Sequence, residues 1–242
     1  MEKDLTRKAG IALVLGAIIS IFRVLPIVLV EGATRDNFPP ETLDEIMLFS
    51  QTQGWHISHV LILVLVPLLV FGTGVFARDS AQKGQASAGI MALIGTTFSM
   101  ILFSVATVLD GFVLPAVVGH TSVSELAGDT HYGILTLFTH EVASIFGGTA
   151  SAVLLITAFF FGIALLRGFE NRWLGIAGMI LGALSLVGYL TRILELNISE
   201  SFGRVGPLLM LMFFYLLAIG IVTLKRSLTS LMETIILAVS YH

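Results

Sequence analysis

Residues 55–77 read WHISHVLILVLVPLLVFGTGVFA, an apolar run without Asp, Glu, Lys or Arg. At about 1.5 Å of rise per residue it spans the roughly 30 Å of hydrocarbon in a bilayer, so it reads as a membrane helix with His56 and His59 near its start. Five more runs have the length and apolarity of a crossing: Ala9–Val30, Ala88–Val118, Tyr132–Leu166, Trp173–Leu194 and Val205–Leu224. The expected fold is all-α, an integral membrane bundle of six transmembrane helices over residues 1–226. The third and fourth runs exceed what a crossing requires and are expected to extend beyond the outer face. A C-terminal amphipathic helix is expected over 227–242.

Composition supports this class. The chain is 56% hydrophobic and 12% charged across 242 residues, too few charges to cover a soluble globule of this size. A net charge of −3 gives no basic face for nucleic acid. Without cysteine there are no disulfides, thiolate metal sites, iron–sulfur clusters or covalently attached haem. Any metal must be held by His, carboxylate or Met.

Basic residues set the expected orientation, because cytoplasmic loops retain Lys and Arg. Lys3, Arg7, Lys8, Arg78, Lys83, Arg167, Arg172, Lys225 and Arg226 fall on one side if six helices alternate, against Arg35 and Arg204 on the other. Both termini are expected in the cytoplasm. The first run has the basic start of a signal peptide, but Arg23 interrupts its apolar stretch, so it is read as a retained helix. In the acidic segment 31–54, Thr42 and Glu45 have capping-box spacing ahead of Ile46, Met47 and Leu48, which predicts a short interfacial helix over the outer face. After Arg226, the residues Leu228, Leu231, Met232, Ile235, Ile236 and Val239 form one apolar stripe at helical spacing, suited to the inner membrane surface or a partner subunit. Gly178 and Gly182 form a GxxxG pair, read as close helix packing. Asn197-Ile198-Ser199 is a glycosylation sequon on the outer side.

The ionisable residues inside the apolar runs occupy one depth. His59 and His56 lie 19 and 22 residues from the basic anchor Arg78, His140 lies 27 from Arg167, Asp110 lies 27 from Lys83, and Arg192 and Glu195 lie 20 and 23 from Arg172. About 20 residues cross the hydrocarbon, so these groups form a layer at its outer boundary. Thr136, His140, Ser144, Gly148 and Ser151 are expected on one inward face of the fourth helix, and Ser104, Thr107 and Asp110 on one inward face of the third. Arg23 is deeper, and a salt bridge to Asp110 or Glu141 is its expected role. Arg192 and Glu195 are spaced to pair with each other. Glu141 points about 100° from His140 and suits a supporting acceptor. His120 and His131 lie in or beside a polar loop and read as solvated.

Two cofactor chemistries suit the layer. His56 and His59 share a helix face, and with His140 and Asp110 they supply the imidazole and carboxylate ligands of a first-row metal such as zinc. Alternatively one of the second helix's histidines, His59 or His56, and His140 take the two axial positions of a haem b between the second and fourth helices. In the haem reading Gly147-Gly148 permits close approach, and Arg192 or Arg204 balances the propionates. Paired histidines on two helices resemble, in that respect alone, multi-helix b-type cytochromes.

The leading expectation is therefore a membrane redox protein binding haem b or a transition metal, with a quinol or other redox partner. A zinc-dependent membrane hydrolase is the second, using Asp110 or Glu141 as ligand or base. The third is a transporter or an accessory subunit of a homo-oligomer or membrane complex, its polar layer serving ion passage. There is no HExxH or GxSxG motif. Pro26, Pro67 and Pro115 are scattered without the symmetry of inverted repeats.

Overall fold

A computed structural model describes residues 2–27, 42–119, 130–168, 171–193 and 205–240. These residues are helical with no strand among them, in the order α1 (Glu2–Phe22), α2 (Leu43–Ser50), α3 (Gln53–Gln82), α4 (Ala86–Val108), a π-helical turn (Leu109–Val113), α5 (Leu114–Gly119), α6 (Thr130–Gly168), α7 (Arg172–Ile193) and α8 (Val205–Ser240). Among them six spans are long and apolar enough to cross a membrane: Asp4–Ile27, Gln53–Gln82, Ala86–Gly119, Gly133–Gly168, Arg172–Leu190 and Leu208–Thr229. Large apolar side chains such as Ile94, Phe98, Ile101, Ile145, Val187, Leu211 and Phe214 lie exposed. Exposure on that scale suits lipid as the surrounding solvent, since soluble monomers rarely leave such patches bare.

The chain divides into two compact units, and the division falls within the helices. The first unit comprises Met1–Ile18, Leu65–Ser99 and Ser151–His242. Its core holds Leu13, Leu69, Leu154, Phe161, Met212 and Leu216, all at most 1% exposed. With lipid outside, helices gain little from hydrophobic exclusion, so close backbone approach carries the packing. The GxxxG pair shows this: a Cβ on Gly182 would stand 2.6 Å from the Phe159 amide nitrogen, and one on Gly178 would stand 2.8 Å from the Ala158 carbonyl. α8 continues without a break through the tail, so residues 227–240 prolong the sixth apolar helix, with Leu228 and Met232 exposed.

The second unit comprises Ile19–Val64 and Met100–Ala150 and contains His56, His59, Asp110 and His140. Its short helix α2 begins with the predicted capping box: the Glu45 amide donates to Thr42 Oγ1 at 3.3 Å, and the Thr42 amide donates to Glu45 Oε2 at 3.0 Å. Ile46 and Met47 of α2 bury against Leu114 and Val118 of α5. Phe49 buries with Trp55 and Ile27. These contacts fix α2 across the ends of the elements that carry the histidines.

Candidate functional site

The site is organised by a proline. Pro115 has no N–H, so it supplies no ladder bond to Gly111 four residues earlier, nor to Asp110 in a wider turn. The preceding amide, Leu114, bonds to the Leu109 carbonyl and closes the π-helical turn over Leu109–Val113. Two carbonyls are thereby released, and side chains of α3 take both. Trp55 Nε1–H donates to the Asp110 carbonyl at 2.9 Å, and His56 Nδ1–H donates to the Gly111 carbonyl at 3.1 Å. Gln51 Nε2 donates to the Pro115 carbonyl at 3.0 Å. Such π-bulges concentrate at functional positions, because the extra residue re-aims a side chain.

Asp110 lies within this turn. Its Oδ1 accepts from His140 Nδ1 at 3.0 Å, and its Oδ2 faces His59 Nε2 at 3.4 Å. Three helical segments thus converge on one carboxylate. His59 is 7% exposed. Its ring lies 4.7 Å from that of Trp55, and its Nδ1–H donates to the Trp55 carbonyl at 2.8 Å. Gly111 permits the approach: a Cβ there would stand 2.5 Å from His59 Cβ and Cγ.

The partners assign the tautomers. Carbonyl and carboxylate oxygens only accept, so Nδ1 carries the hydrogen in His56, His59 and His140. In neutral His59, Nε2 is then a bare lone pair facing another lone pair on Asp110 Oδ2. A proton shared between His59 Nε2 and Asp110 Oδ2 would turn this contact into a hydrogen bond. For His56 and His140, Nε2 has no hydrogen-bond partner among the described residues.

The predicted site residues separate accordingly. His59, Asp110 and His140 come together, and His56 joins them through the backbone of the π turn. Asp110 serves both histidines through its two oxygens, and among the described residues no group of three or more His, Asp or Glu is placed to hold a metal ion. Nε2 of His56 and Nε2 of His140 are the imidazole nitrogens of this group left without a hydrogen bond among the described residues. Gly148 faces open space and Gly147 makes an ordinary 3.9 Å contact with Ala106. The side chains of Arg192, His120, His131, Glu195 and Arg204 lie outside the described residues.

Two expectations are corrected. Arg23 forms no ion pair among the described residues; Asp110, its expected partner, is held by the two imidazoles. On α6, Thr136 and Ser151 are buried as expected, but Ser144 and Gly148 are exposed. Steps of four residues advance about 40° each around a helix of 3.6 residues per turn, so a stripe taken in such steps leaves the buried sector within two of them. On the third helix the expected face holds, with Thr107 buried and Asp110 turned to the histidines.

Sequence reading missed the π turn, the Trp55 bond to Asp110 and the close seat of His59 on Gly111. The available signal was Gly111 and Pro115 standing four residues apart beside the acidic residue. No protein-family model matches this chain, and neither a curated protein nor a solved structure matches it.

Proposed function

We propose that this integral membrane protein handles protons at His59, Asp110 and His140, and belongs to the transporter class with a proton as its coupled or carried ion. One observation carries the reading: a carboxylate within a membrane span stands between two imidazoles, one on each of its oxygens. Ionisable residues within spans are costly and mark ion and proton pathways. In the step, which starts from Asp110 protonated on Oδ2, a proton arrives at His140 Nε2 as its Nδ1–H passes to Asp110 Oδ1 and the Oδ2–H passes to His59 Nε2. His59 ends as the cation, His140 as the Nε2–H tautomer and Asp110 protonated on Oδ1, so the cluster has gained the one incoming proton, and the starting state returns when these transfers reverse. On the basic-residue rule the termini are cytoplasmic and this cluster opens outward.

Proteoliposomes containing an internal pH-sensitive dye test the reading. An imposed pH gradient should collapse faster with the wild type than with Asp110→Asn; equal rates at every gradient would reject proton handling.

A second reading is supported by a separate feature. In His140 and His56, Nδ1–H donates to an oxygen while Nε2 is left without a partner among the described residues, which is how metal-ligating imidazoles are held. A haem b or transition metal bound there makes the protein a redox protein or hydrolase. In that case His140→Ala loses most of the cofactor, and replacing His120 changes little. A colourless, metal-free protein purified under mild conditions rejects this second reading.

A further inference from the structure

We propose that Arg23 is the binding group for an oxyanion, a phosphate or carboxylate, taken up at the break before Pro26 in the first span. The inference stands independently of proton handling. Arg23 lies within the apolar span Asp4–Ile27, where a guanidinium without a counter-ion is costly. The carboxylate that would neutralise it, Asp110, is occupied on both oxygens by His59 and His140. Glu141 is exposed, and among the described residues Arg23 makes no ion pair or hydrogen bond.

The backbone holds this charge at a fixed place. α1 ends at Phe22, Arg23 and Val24 form a turn, and helix resumes over residues 25–27. Pro26 causes the break, since it has no N–H for the Phe22 carbonyl, and the Ile27 amide turns back to the Val24 carbonyl at 3.1 Å. Ile27 is then buried against Phe49 and Trp55. Arg23 therefore sits one turn before the residue that packs on Trp55, which in turn bonds the Asp110 carbonyl. Its planar fork of donors matches the paired oxygens of a phosphate or carboxylate. The apolar run continues to Val30, seven residues or about 10 Å beyond Arg23, a distance that a long basic side chain shortens by extending toward the membrane surface.

The test uses the full chain in dodecyl maltoside, a detergent without phosphate or carboxylate, at constant ionic strength in chloride. One arm adds phosphatidylglycerol and the other adds inorganic phosphate, with Tm as the readout. Wild type should gain roughly 3–5 °C in one arm, as binding to the folded state alone requires. A response to the lipid identifies a headgroup, and a response to phosphate identifies a soluble oxyanion. Arg23→Met should respond in neither, and Arg23→Lys, which keeps the charge without the fork, should respond less than wild type. Flat Tm in both arms for wild type, or an equal response from Arg23→Met, overturns the proposal. If Arg23→Met does not fold, a response of Arg23→Lys equal to wild type overturns it.

Discussion

Pro115 stands four residues after Gly111 and has no N–H to offer the Gly111 carbonyl, which accepts from His56 Nδ1 at 3.1 Å instead. A gap in one helix ladder thus becomes the attachment point for a neighbouring helix. The same proline leaves the Asp110 carbonyl to Trp55. Backbone and side-chain geometry in this site have one cause.

Pro115→Ala returns an amide to that ladder. The turn should tighten toward regular α-helix, and removing one residue from a π turn rotates the helix before it by about 100° relative to the helix after it. Asp110 should leave the imidazoles and Trp55 should lose its acceptor. Since Trp55 and Trp173 are the tryptophans of the chain, the indole N–H signals of tryptophan-labelled protein report this directly. The Trp55 resonance should move and that of exposed Trp173 should not. An unchanged Trp55 resonance would show that the π turn does not depend on the proline.

Gly111→Ala tests the seat of His59. The new Cβ would fall 2.5 Å from two His59 atoms, so either the ring or the turn must shift. Overpacking of this kind costs about 1–3 kcal/mol. The cost should appear as a lowered thermal midpoint, whereas Gly148→Ala, with open space around it, should hold or raise the midpoint, because alanine is the better helix former. Equal midpoints for the two variants would mean that His59 yields freely.

Hydrophobic length made the six spans legible in the sequence, because a crossing needs about 20 apolar residues whatever their order. The capping box at Thr42 and the glycine pair on α7 were legible for a similar reason: each acts through neighbours close in sequence. Depth counting also brought His59, Asp110 and His140 to one layer. Regular periodicity also put Asp110 on one face with Ser104 and Thr107, but it contains no term for the extra residue in the turn at Leu109–Val113, so the bonds of Trp55 and His56 to the carbonyls of that turn stayed hidden. The stripe through Ser144 and Gly148 failed on angle. Arg23 was assigned Asp110 or Glu141 because opposite charges at similar depth invite pairing, yet Asp110 is held by the imidazoles.

Topology is open to a direct check. The basic residues flanking the spans predict residue 79 on the cytoplasmic side and residue 125 on the outer side. Reporter fusions at Asp79 and Glu125 should therefore localise to opposite sides. The same localisation for both would overturn the alternation, and with it the outward placement of the histidines.

Trp55→Phe separates the two roles of that side chain. Phenylalanine retains a ring near His59, now 4.7 Å away, but has no donor for the Asp110 carbonyl. A buried carbonyl left unmatched costs about 1–3 kcal/mol. The thermal midpoint should fall by that amount, and Trp55→Phe in the Pro115→Ala background should cost less, because an amide then becomes available to the ladder. Fully additive effects in the double variant would show that the two residues act independently.

Asp110→Asn is the sharpest test of the proton reading because it preserves shape. The Asn side-chain oxygen accepts from His140 Nδ1–H as the carboxylate does, and the Asn amide donates to bare His59 Nε2. Every hydrogen bond of the cluster survives, so stability should change by less than about 1 kcal/mol. The amide, however, neither takes up nor releases a proton. Proton flux into dye-loaded vesicles should therefore fall on the order of 10²-fold or more, the scale on which positioned acid–base groups act, while the thermal midpoint holds. Asp110→Ala should differ by also losing stability, since it strands both imidazoles. If Asp110→Asn kept wild-type flux, the carboxylate would be a structural bridge between helices; if it unfolded, the two amide bonds assigned to it would be wrong.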